Sequence, residues 1–85
     1  MIARATSAWR VDDVVAYDEM RALAATVVAH LTDQSGDAGA DAAGFLTEAE
    51  RVRDASLRVD GFDRTAVDTH SRGLELRLAE LATDR

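Results

Sequence analysis

Apolar residues return at steps of three and four along most of this chain, the spacing that places them on one side of an α-helix. In the first third, Tyr17, Met20, Ala24, Val27 and Leu31 form such a stripe, Val14 extends it backwards, and Leu23 and Val28 widen it. Asp12, Asp18, Arg21 and several Ala fall on the opposite face, and Asp18 and Arg21 stand close enough along the helix to pair. The pattern predicts a helix over about 8–34. At its start, in SAWRVDDVV, Trp9 and Val11 alternate with polar residues and Val14 and Val15 are adjacent, so a short strand is the competing expectation there.

The middle stretch, LTDQSGDAGADAAGF at 31–45, breaks the period and predicts a turn over about 35–44. Gly36 is placed to end the first helix in the left-handed conformation that glycine adopts without penalty. Ser35, Asp37 and Asp41 favour turns by bonding nearby backbone groups. A second helix is expected over about 45–60. Thr47 and Glu50 have the spacing of a capping box, with Asp41 as an alternative start. Ala49, Val52 and Leu57 are read as its inner face, with Glu50–Arg53 and Asp54–Arg58 as outer pairs. VDGFDRT at 59–65 is a second break, in which Gly61 closes one helix and Asp63 or Thr65 caps the next. Val67, His70, Leu74, Leu78 and Leu81 then mark a third helix over about 64–83, with Leu76 off the seam. Gly73 either weakens that helix or admits another backbone. The fold class that follows is all-α: one small domain, a helical hairpin whose second arm is broken into two helices.

Composition narrows this further. A chain of 85 residues buries only ~60–65% of its unfolded surface. Much of the 47% apolar content is Ala. A second copy or another helical chain would help complete so thin a core. With no Cys, disulfides and thiolate metal sites are excluded. With no Pro, nothing forces a helix to break. All ten cations are Arg, a bias typical of GC-rich, actinobacterial coding sequence. The net charge of −6, with Arg interleaved among Asp and Glu, argues against a nucleic-acid partner, whose affinity rests on basic residues facing phosphate. No apolar run approaches the ~18 residues of a membrane span, and the start lacks a signal-peptide core. Cytoplasmic location is the expectation, with export by a route that needs no cleaved signal compatible with it.

Candidate chemistry is sparse. His30 and Asp33 lie three apart with Asp37 following, two or three potential metal ligands where a structural zinc takes four. They read more naturally as a helix-end His beside solvated acids. His70, between Val67 and Leu74, reads as a half-buried core or interface residue rather than a base. Ser56, Ser71 and the Thr residues stand in no recognisable nucleophile context. The expectation is no enzyme, no metal and no cofactor.

Two resemblances bear on function. Asp54-Ala55-Ser56-Leu57 echoes the Asp-Ser-Leu of acyl carrier proteins, where the Ser carries phosphopantetheine. Ala55 interrupts that motif, however, and the chain after Ser56 is short for the helices that family places there. Two helical arms about a mid-chain turn, with Ala42-Ala43-Gly44-Phe45 where the second arm begins, resemble the small Trp-x-Gly helical-hairpin proteins of type VII secretion. The resemblance is architectural: the single Trp is Trp9, and Tyr17 is followed four residues on by Arg21 rather than by the acid of the export signal. It implies a similar hairpin as partner. The functional expectation is an acidic helical interaction module that pairs with its own copy or with a small helical protein. The alternative is an antitoxin or immunity-type inhibitor that neutralises a partner protein. The candidate interface residues are Trp9, Tyr17, Met20, Val27, Leu31, Phe45, His70, Leu74, Leu78 and Leu81.

Overall fold

The computed structural model describes residues 11–83, which form three helices: α1 (Val11–Asp37), α2 (Ala42–Arg58) and α3 (Arg64–Thr83). The described residues contain no strand. Trp9 lies outside them. The segment from Val11 onward is helix, which settles the strand-or-helix question for the residues described.

Side-chain contacts between helices define the topology. Arg64, at the start of α3, reaches Asp13 near the start of α1. At the other end Gln34 of α1 donates from Nε2 to the Leu81 carbonyl of α3, at 3.2 Å. The two helices therefore run parallel. That bond also satisfies one of the carbonyls that a helix C-terminus leaves without an intrahelical partner. Between α2 and α3 the order reverses, because Glu48 meets Arg77 and Ser56 meets His70. The fold is an up-down-up bundle in which both shorter helices lie along α1.

The core is the apolar stripe of α1 covered from two sides. Ala16, Met20, Ala24, Val27 and Leu31 are buried, together with Ala49 of α2 and Val67, Leu74 and Leu81 of α3. Met20, Val27, Leu31, Val67 and Leu81 are the large side chains most completely enclosed. Each contributes roughly 1.5–3 kcal/mol by leaving water. Tyr17, Leu23, Val28, Phe45, Val52, Val59 and Leu78 pack partly against them. The expected seams of the first and third helices thus meet each other. The inner register of α1 includes Ala16, with Tyr17 at its margin.

The central turn departs from expectation. α1 continues through Gly36 to Asp37, and the residue with positive φ is Gly39, at 59°. A single 3₁₀ turn over Gly39–Asp41 leads directly into α2. α2 consequently starts at Ala42, and Thr47 lies inside it rather than at its cap, so the Thr47–Glu50 capping box does not form. Asp41 holds the N-cap position without a side-chain cap bond. Three extra helical residues on α1 satisfy more backbone groups than an early stop at Gly36, and the strained conformation moves to the later glycine.

The second break follows its sequence signals in part: α2 ends at Arg58 with Val59, in extended conformation, as its C-cap, so Gly61, which takes no positive φ, does not close the helix as expected. The Asp60 carboxylate accepts from the Phe62 amide at 2.9 Å, and the Asp63 carboxylate accepts from the Ala66 amide at 3.1 Å. Asp63 is therefore the residue that caps α3, where its charge also faces the positive end of the helix dipole. Gly73 has open space around an added Cβ, so no neighbouring backbone uses it for close approach.

Candidate interaction surface

The inner face of α2 differs from the expected one. Ala49 is buried, Val52 is half-buried, and the next inward position is Ser56, only 2% exposed. Leu57, expected inside, is 58% exposed. The reason is partly register, because Ser56 stands seven residues from Ala49, close to two helical turns. It is also chemical. A buried hydroxyl needs a partner, and His70 of α3 supplies it, with Ser56 Oγ 2.8 Å from His70 Nε2.

Burial lowers the pKa of His70 below that of an exposed imidazole, so the ring is held neutral at neutral pH. Which of the two atoms donates depends on the imidazole tautomer. The distance is that of a nucleophile and its base. Yet Ser56 is nearly inaccessible, and the described residues place no carboxylate against the ring to orient it. The pair is a polar tie between α2 and α3.

With Leu57 turned outward, a groove of about 390 Å³ opens between α1 and α2. α1 contributes Arg21, Ala24, Ala25, Val28 and Ala29, and α2 contributes Arg53, Ser56 and Leu57. The trough exists because three of its α1 positions carry only a methyl group. Arg21 is held at its rim, donating from Nη1 to the Tyr17 hydroxyl at 3.2 Å with its guanidinium carbon 5.8 Å from the ring centroid. That geometry is a cation–π contact. Val14, also exposed, continues the same flank of α1 towards its start.

Charges are distributed unevenly around the bundle. On the α3 side, Arg77 binds Glu48 through two parallel bonds, of 2.6 and 2.8 Å, and reaches Glu80 at 3.1 Å. Its pKa is raised, first by the hydrogen bonds it donates to Glu48. Arg64 bridges Asp68 and Asp13 through one bond to each, of 2.9 and 3.0 Å. Beside the groove, by contrast, Asp18, Arg21, Glu50, Arg53 and Asp54 take part in no ion pair with the described residues. The expected pairs Asp18–Arg21, Glu50–Arg53 and Asp54–Arg58 do not form.

The candidate interface residues divide accordingly. Met20, Val27, Leu31, Leu74 and Leu81 are buried in the chain's own core, so they cannot touch a second chain without opening the bundle. Tyr17, Phe45, His70 and Leu78 are half-buried and border the surface. Arg21, Ala25, Ala29 and Arg53 were not singled out by the apolar period, because small and charged residues do not register in it, and Leu57 was read from it as a core residue. Their signal was combinatorial: adjacent Ala on one flank of α1, facing a Leu that the α2 register turns outward. Among the described residues no group of three or more His, Asp or Glu is arranged to hold a metal ion, and His30 Nδ1 is buried without a hydrogen-bond partner. No described helix is long and apolar enough to cross a membrane. Compared with protein-family models, curated proteins and solved structures, the chain matches none.

Proposed function

We propose that this chain is a non-enzymatic interaction module that receives a helix of a partner protein in the groove between α1 and α2. The observation that carries the reading is the groove itself: an apolar trough lined by Ala24, Ala25, Val28 and Ala29 of α1 and Leu57 of α2, beside a core that consumes the long apolar stripes of α1 and α3. Helix-in-groove recognition uses such a trough, with apolar anchors at helical spacing and charges at the rim. The buried Ser56 hydroxyl and the absence of an orienting carboxylate at His70 favour binding over catalysis.

The absence of native Cys makes site-specific labelling direct. A photocrosslinking group at Ala25, in the groove, is to be compared in cells with one at Thr69, exposed on α3. An adduct of defined mass from position 25 and none from position 69 supports the reading. Equal labelling, or no adduct from position 25, refutes it.

A further inference from the structure

The charges around the groove carry information about its occupant. Arg21 and Arg53 line it, and Asp18, Glu50 and Asp54 stand three residues, about one helical turn, before the lining residues Arg21, Arg53 and Leu57. All five are exposed, two cations among three carboxylates, and none is in an ion pair with the described residues. A strongly acidic helix entering here meets Asp18, Glu50 and Asp54. A strongly basic one meets Arg21 and Arg53. The partner that answers this pattern has both signs in comparable number at the edge of an apolar strip. A second copy of this chain presents that set.

Two-fold symmetric contacts bring one surface patch against itself, so a patch succeeds when its own charges complement each other across the axis. Small residues in the trough let two helices approach closely, and Leu57 of each copy can cover the methyl-lined floor of the other. We infer that the groove is the contact of a symmetric homodimer, with apolar packing of Leu57 against Ala25, Val28 and Ala29 at its centre and Asp18, Arg21, Glu50, Arg53 and Asp54 pairing across its edge. The inference rests on the groove being a docking surface and adds the identity of its occupant.

Two complementary variants of the full chain test it. One carries Arg21→Glu and Arg53→Glu, making the rim wholly acidic. The other carries Asp18→Arg, Glu50→Arg and Asp54→Arg, making it wholly basic. All five positions are exposed, so helicity is expected to stay at the wild-type level, and circular dichroism confirms it for each chain. By sedimentation velocity the wild type should self-associate in the micromolar range. Each variant alone should dissociate at least tenfold more readily, and an equimolar mixture should restore the dimer. Leu57→Glu in both variants should abolish that restored species, which separates groove docking from bulk charge attraction.

Monomeric wild type throughout that range, variants that dimerise like wild type, or a mixed dimer indifferent to Leu57→Glu each overturns the inference. If the wild type is monomeric but position 25 still crosslinks to a protein of another mass in cells, the second-copy assignment fails while the groove remains a docking surface.

Discussion

Replacing Ser56 by Ala isolates the energetics of the one hydroxyl residue buried among the described residues. The substitution removes one oxygen from a nearly inaccessible site and leaves His70 Nε2 without its protein partner. A typical net hydrogen bond contributes about 0.5–1.5 kcal/mol, and an abandoned buried polar group costs about 1–3 kcal/mol. His70 is half-buried, so water can replace part of what is lost, and the lower half of the combined range applies. The expected destabilisation is about 1–2 kcal/mol at pH 8, read from urea denaturation with an unchanged slope.

The same pair makes a pH prediction. Because burial lowers the folded-state pKa of His70 below its unfolded value, the unfolded chain binds the extra proton first. Its contribution is fully present above the unfolded pKa, near 6.5, and is lost as pH falls below that value. Wild type should therefore weaken between pH 7 and 5 by more than His70→Gln does. Ser56→Ala should retain the pH dependence, since burial and not the hydroxyl causes the shift. A Ser56→Ala variant as stable as wild type, or identical pH profiles for wild type and His70→Gln, would refute this account of the α2–α3 contact.

Three further outcomes follow from the helices. Gly73→Ala should stabilise by about 0.5–1 kcal/mol in thermal or urea unfolding, because Gly is costly inside a helix and the added methyl meets open space. Asp63→Ala should cost about 1 kcal/mol by removing the α3 cap, whereas Thr47→Ala should change stability by less than about 0.5 kcal/mol, since Thr47 caps nothing. Arg77→Ala should cost on the order of 1 kcal/mol, and Arg77→Lys should recover only part of it because ammonium cannot reproduce the paired bonds to Glu48; a melt at low and high salt measures both.

Much of the fold is legible in the order of residues. The stripes Met20, Ala24, Val27, Leu31 and Val67, Leu74, Leu81 are long and strictly spaced, and burial selects them whatever the turns do. Asp63 was readable because a capping acid after Gly61 satisfies a local need. The central turn was less legible: three glycines compete there, and nothing local marks that α1 runs on through Gly36 to Asp37 and leaves the positive φ to Gly39. The inner face of α2 was misread for a tertiary reason. Nothing local to Ser56 announces that a histidine fourteen residues away will satisfy it, so Leu57 looked like the better core residue. The groove followed from that same exchange, out of reach of a period count.

The central claim is that two copies of this chain meet through the face between α1 and α2. Backbone amide shifts followed by NMR from a few micromolar to about one millimolar test it most directly. The account predicts concentration-dependent shifts clustered at Arg21, Ala25, Val28, Ala29, Arg53 and Leu57, with the α3 surface around Leu76 constant although that side chain is 65% exposed. Shifts centred on Leu76, or a spectrum unchanged across the series, would contradict it.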